Sequence, residues 1–115
     1  MNISLLVIRS TKLEESLQFY SQLCLAFQKE KHGKGPVHYS ALISDMVFEI
    51  YPCREGEEAT NNRLGFRFCK KDPNFTDIEE WAQEIAESSY IDASGTEYYV
   101  VVDPDKRKVE VGFER

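Results

Sequence analysis

Little in this sequence invites a membrane, a nucleic acid or a disulfide framework. No apolar run approaches the roughly 18–20 residues that a membrane-spanning helix requires. Met1 to Ser10 lacks the basic start and long apolar stretch of a secretory signal, so a cytoplasmic protein is expected. Positive charge is the minority sign, 14 Lys and Arg against 20 Asp and Glu for a net charge of −6. No basic block exceeds Lys70-Lys71 and Lys106-Arg107-Lys108, which leaves neither a phosphate backbone nor an anionic lipid surface an electrostatic footprint. Cys24, Cys53 and Cys69 are odd in number and have no C-x-x-C spacing. They are expected to be reduced thiols packed as small hydrophobes, not disulfide partners or zinc ligands. What is present, 42% apolar and 12% aromatic residues over 115 positions, suits one small globular domain.

Periodicity divides that domain into two similar halves. Ile3 to Arg9 is an apolar run too short for a typical helix and reads as a buried strand. Thr11 and Glu14 have the spacing of a capping box, and Leu13, Leu17, Tyr20 and Cys24 follow at helical intervals. Leu25 to Lys29 reads as a short strand. Lys31 to Pro36, with two Gly and a Pro, reads as a loop. Val37–Ile43 and Met46–Tyr51 are separated only by Ser44-Asp45, too short a link for a parallel crossover, and should form a hairpin. After a polar linker, about 54–61, the order recurs: a strand over Leu64–Cys69, a helix introduced by Thr76 and Glu79 with apolar Ile78, Trp81, Ala82 and Ile85, and strands over Tyr90–Ala93, Thr96–Val102 and Lys108–Phe113. Both halves, about 1–53 and 62–115, therefore read β-α-β-β-β.

Each half closes on a strand that sets a Glu between apolar neighbours, Phe48-Glu49-Ile50 and Val109-Glu110-Val111, as a duplicated unit would. Period-two alternation sends the apolar pair to one sheet face and the Glu to the other. The plain reading of such a Glu is a solvated outer face. The sharper one is a carboxylate held on the open side of a sheet whose other side packs on a helix.

These elements resemble the vicinal oxygen chelate superfamily, which groups glyoxalase I, extradiol dioxygenases, fosfomycin-resistance enzymes and bleomycin-resistance binding proteins. The resemblance rests on Leu13–Tyr20 after the first strand, on Val47–Tyr51, on Leu64–Phe68, and on Val102-Asp103-Pro104-Asp105 followed by Val109-Glu110-Val111. The family usually has Gly after the first helix, where this chain has Cys24, a departure that touches the helix C-cap and not the fold. The resemblance implies an α+β fold of two β-α-β-β-β modules in a single domain over 1–115, with sheets curled into a U-shaped cleft and helices on the outer face. The four metal-ligand positions of metal-dependent members fall on Leu5, Glu49, Arg63 and Glu110. Leu5 has no donor atom, and the Arg63 guanidinium has no lone pair to give. A metal-free protein without cofactor is therefore expected. The alternative left open is that His32 or His38 joins Glu49 and Glu110 around Mn or Zn.

Without metal, the resemblance implies a cleft in which Arg9, Arg63 or Arg67 clamps a carboxylate or phosphate and Glu49 or Glu110 takes an amine, hydroxyl or proton. His38, Tyr39 and Tyr51 are further candidates for contact with the ligand, and Tyr98 and Tyr99 for its walls. A simple Arg63 to Glu ion pair filling the cleft is the structural alternative. The expected function is binding of a small polar or aromatic molecule. A glyoxalase-type lyase or isomerase with Glu49 and Glu110 as acid and base is the alternative, and an accessory protein acting on a partner, hinted at by acidic Glu55 to Glu58, is a third. Family members this short pair their modules within the chain or swap them between chains, and a homodimer with clefts at or near the interface is expected. Sedimentation at tens of micromolar should show the dimer, and a lone monomer would overturn that expectation.

Overall fold

The computed structural model describes all residues from Met1 to Arg115. The chain divides into two compact units, Met1–Thr60 and Asn61–Arg115. In the first, β1 (Leu5–Ser10), α1 (Leu13–Ser21), β2 (Gln28–Glu30), β3 (His38–Ile43) and β4 (Met46–Pro52) form a four-stranded sheet ordered β1-β4-β3-β2. In the second, β5 (Leu64–Phe68), α2 (Phe75–Ile85), β6 (Ser88–Ile91), β7 (Glu97–Val102) and β8 (Lys108–Phe113) repeat the pattern as β5-β8-β7-β6. The fold is α+β, with two open mixed sheets and one helix to each. The first strand of each unit pairs parallel with the last, and every other pairing is antiparallel.

Alternation sorts the side chains as the sequence pattern requires. In the first unit Ile8, Phe48 and Ile50 face α1 and are fully buried with Tyr20, whose ring meets Phe48 edge-on at 5.4 Å. In the second, Val101, Val109, Val111 and Phe113 are fully buried with Ile78 and Ala82 of α2. Phe68, Phe75 and Tyr99 pack their rings around Phe113. The faces turned away from the helices keep the alternate residues, Glu49 and Glu110 among them.

The helix starts differ from the expected capping boxes. Helix α1 begins at Leu13 with Lys12 at its N-cap and no side-chain cap hydrogen bond. The Ser10 hydroxyl serves the entry instead, accepting from the Lys12 amide and sharing a hydrogen bond with Ser16 Oγ at 2.7 Å. Glu14, read as the box partner, accepts from Tyr39 Oη. Helix α2 begins at Phe75, one residue before Thr76, with Asn74 in the left-handed region at φ 64°. Glu79 pairs with Arg115 rather than returning to a cap. Cys24, placed in the apolar stripe by its spacing, is exposed and sits at φ 61° where α1 ends. That conformation is the one a C-terminal glycine adopts without strain, and it carries the Cys24 side chain off the buried face.

The β7–β8 connection holds the most buried charges in the chain. Asp103 Oδ1 accepts from the amides of Asp105 and Arg107, each at 2.9 Å. Its Oδ2 accepts from the Arg107 guanidinium, and neither side chain is exposed. Removing one partner leaves a charge without water or counter-ion. Asp103→Ala should therefore cost about 3–5 kcal/mol in urea denaturation, while the double change Asp103→Leu with Arg107→Met should recover most of it.

Candidate functional site

The open face of the first sheet is built row by row across its strands. Arg9 on β1 pairs with Tyr51 on β4, and the register places His38 of β3 on the far side of Tyr51 and Glu30 of β2 beyond it. One step along, Val7, Glu49, Ser40 and Gln28 form the next row, and Leu5, Val47 and Leu42 the one after. The first row is stacked. The Arg9 guanidinium stands 5.4 Å from the centre of the Tyr51 ring, and His38 stacks on the same tyrosine at 4.0 Å with 9° between planes. Arg9 also donates from Nη1 to the Pro52 carbonyl and lies 3.9 Å from Glu57.

His38 is the buried titratable group of this face, with 1% exposure. Its Nδ1 lies 3.2 Å from the carbonyl of Pro36, an acceptor to which that nitrogen can donate. Nε2 faces Glu49 Oε2 at 3.4 Å and has no hydrogen-bond partner. Burial pushes the Tyr51 phenol above its ordinary pKa, the carboxylates of Glu49 and Glu30 add to the shift, and Arg9 opposes it. Leu5, at one of the four inherited ligand positions, is 53% exposed and offers nothing to a metal. A pocket of about 530 Å³ opens beside Arg9 and Tyr51, with Lys34, Pro36, Pro52, Cys53 and Arg54 completing its wall.

The second open face carries Glu110 between Gly65 of β5 and Val100 of β7, and Gly112 between Arg67 and Tyr98. Glu110 accepts from Tyr90 Oη and is 3.1 Å from Arg63 Nε. Arg63 is more than half exposed, so this pair is worth at most about 1 kcal/mol and does not plug a core. Arg67 pairs with Glu114 at 3.6 Å. Tyr98 lies flat over Gly112, where an added Cβ would come within 2.3 Å of the ring, and stacks on Tyr90 at 5.2 Å. A glycine there is what lets the two tyrosines lie against the sheet.

The structure therefore brings Arg9, His38, Glu49 and Tyr51 together in the first unit, and Arg63 and Glu110 together in the second, with Arg67 nearby on the same face. Tyr39 and Tyr99 point the other way. Tyr39 is buried on the helix side and donates to Glu14 of α1, and Tyr99 accepts from Gln83 of α2. Tyr39 is thus a packing residue of the α1 layer. Lys34, Arg54, Glu30 and Tyr90 were not singled out from the sequence. Lys34 stands in a Gly-Pro loop and Arg54 opens a polar linker, and neither setting fixes a direction. Glu30 reaches His38 only through the β2–β3 register, which a long loop hides.

No protein-family profile and no curated protein matches the chain. Solved structures do. A lactoylglutathione lyase from Agrobacterium tumefaciens aligns over 97% of this chain and 92% of its own, at 17% identity and a TM-score of 0.63. A glyoxalase-related enzyme from Fulvimarina pelagi aligns over 99% and 88%, at 14% identity and a TM-score of 0.67. The oxidase ChaP-H2 aligns over 100% and 94%, at 13% identity and a TM-score of 0.68. At these identities the likeness is one of fold.

The hydrogen bond from Tyr90 to Glu110, with burial and the carboxylate charge adding to it, raises the Tyr90 pKa from 10.0 to about 12. Because the folded state holds this proton more tightly than the unfolded chain does, the contribution to stability is complete below pH 10 and is lost as pH rises towards 12. Spectroscopic titration should show one phenol ionising near pH 12 in the wild type and returning towards 10 in Glu110→Gln. An unchanged titration curve would remove Glu110 as the cause.

Proposed function

Starting from the glyoxalase-like fold of the vicinal oxygen chelate superfamily, we propose that this protein binds a small anionic molecule, a carboxylate or phosphate joined to a flat apolar part, in the pocket beside Arg9 and Tyr51. One observation carries the reading. In a chain of net charge −6, this pocket is walled by three cations, Arg9, Lys34 and Arg54, and by no carboxylate. Its volume of about 530 Å³ suits a small ligand. Pro36, Pro52 and the Tyr51 ring supply apolar wall, and the cations supply charge-assisted hydrogen bonds to the anionic end. The Pro52 carbonyl and the Tyr51 ring set the plane of the Arg9 guanidinium before any ligand arrives, which lowers the ordering cost of binding. Neither Leu5 nor Arg63 provides a donor for the four-position metal site, and the proposed mode uses no group at those positions.

A second reading, a lyase or isomerase of glyoxalase type, draws on one feature. Glu49 is partly buried on the same sheet face as Arg9, and a carboxylate with a guanidinium is the pair that proton abstraction next to a carbonyl calls for. Glu110 suits that role less, because both of its close neighbours, Arg63 and Tyr90, donate to it.

The readings separate in a thermal-shift screen of aromatic carboxylates and small phosphates, followed by an assay for turnover of any compound that protects. Wild type should be protected, with an affinity that falls as salt rises. Arg54→Ala and Lys34→Ala should each weaken binding about tenfold or more, the loss of one charge-assisted contact. Protection without turnover supports binding, and product formation abolished by Glu49→Gln supports the enzyme. A wild type unmoved by every compound, or one whose affinity survives both pocket changes, would overturn the anion site.

A further inference from the structure

The geometry points to a second site in the first unit, a divalent transition-metal site formed by Glu30, His32 and His38 with Glu49 beside it. One donor atom from each of Glu30, His32 and His38 lies within 4.8 Å of the others. Such a grouping on a surface would mean little alone. The independent observation is His38 itself, an imidazole with 1% exposure whose Nε2 has no hydrogen-bond partner.

The chemistry around that nitrogen explains why a cation belongs there. Nδ1 lies within hydrogen-bond distance of the Pro36 carbonyl, which leaves Nε2 as the nitrogen able to ligate. Nε2 faces Glu49 Oε2 at 3.4 Å. A cation at Nε2 would stand beside that carboxylate as well. A backbone carbonyl holding one nitrogen while the other ligates is how metal-binding histidines are commonly oriented. The Tyr51 ring, stacked on His38 at 4.0 Å, fixes the plane as well.

The remaining donors are able to close in. Donors that share one ion stand roughly 3–4 Å apart, given metal–ligand bonds of about 2.0–2.2 Å. Glu30 lies across from His38 in the β2–β3 register, and His32, with its side chain 71% exposed, stands 4.0 Å from Glu30. That ring belongs to the segment after β2, with its centre 5.1 Å from that of the His38 ring. Two imidazoles with carboxylates favour Zn²⁺, Ni²⁺ or Co²⁺ over Mg²⁺, which prefers oxygen and water. This set is confined to one unit and uses neither Leu5 nor Arg63. It answers the open alternative of a repaired site with donors from β2, its following loop and β3, and it does not depend on the anion pocket.

The test uses the metal alone. Titration calorimetry of Zn²⁺ into chelator-treated protein should find one equivalent bound, with no heat from Mg²⁺. His32→Ala and Glu30→Gln, both at accessible positions, should each weaken Zn²⁺ binding at least tenfold, and His38→Gln should abolish it. If His38→Gln fails to fold, the two accessible variants still decide. Co²⁺ in place of Zn²⁺ should give a visible spectrum without a thiolate charge-transfer band. No Zn²⁺ bound by the wild type, equal affinity in His32→Ala, or a thiolate band from Cys24, Cys53 or Cys69 would each overturn the site.

Discussion

Everything functional in this chain depends on one constraint: each sheet has a single helix, and that helix covers one face. In β4 and β8 the residues before and after the glutamate are fully buried against α1 and α2. Strand geometry then gives Glu49 and Glu110 no choice of side. Shifting either strand by one residue would drive a carboxylate into the core and expose its apolar neighbours. The hydrophobic effect thus positions two carboxylates without acting on them directly. The same rule carries Arg9, His38 and Tyr51 to the face of Glu49, and Tyr90, Tyr98 and Gly112 to the face of Glu110.

The two faces share an architecture and differ in chemistry. In the second unit the groups answer one another: Arg63 and Tyr90 meet Glu110, and Arg67 meets Glu114. In the first, Arg9 lies 3.9 Å from Glu57, yet three cations wall the pocket, and the buried His38 Nε2 has no hydrogen-bond partner. The scaffold is alike in both units and the chemistry of the open face is not. That asymmetry is why both readings of function concentrate on residues 1–60.

The fold was legible in the sequence because its signals are simple in kind: short apolar runs, alternation in the last strand of each half, helical spacing in two segments, and a repeat of the whole order. The local signals were weaker. Thr11 and Thr76 have the spacing of capping boxes, yet each helix starts where packing sets its first turn, at Leu13 and Phe75. At the first start the hydroxyl of Ser10, not that of Thr11, accepts from the Lys12 amide and faces Ser16. On the first open face, Glu49 follows from period two in β4, and Arg9, His38 and Tyr51 share that face through the strand register. Tyr39, adjacent to His38, points the other way once β3 is extended and meets Glu14 of α1. Lys34, Arg54 and Glu30 depend on loop paths and on hairpin register, which no periodicity encodes.

The parallel pairing of β1 with β4, and of β5 with β8, has a consequence in time. The hairpins β3–β4 and β7–β8 close over short turns and can form early, because little chain entropy is lost in joining their ends. The opening strand of each unit must instead return across nearly the whole unit to find its neighbour. Arg9 lies on that strand, whereas the tyrosine and the histidine lie on the hairpin. Loop entropy alone thus favours bringing the imidazole and carboxylate groups together before the guanidinium.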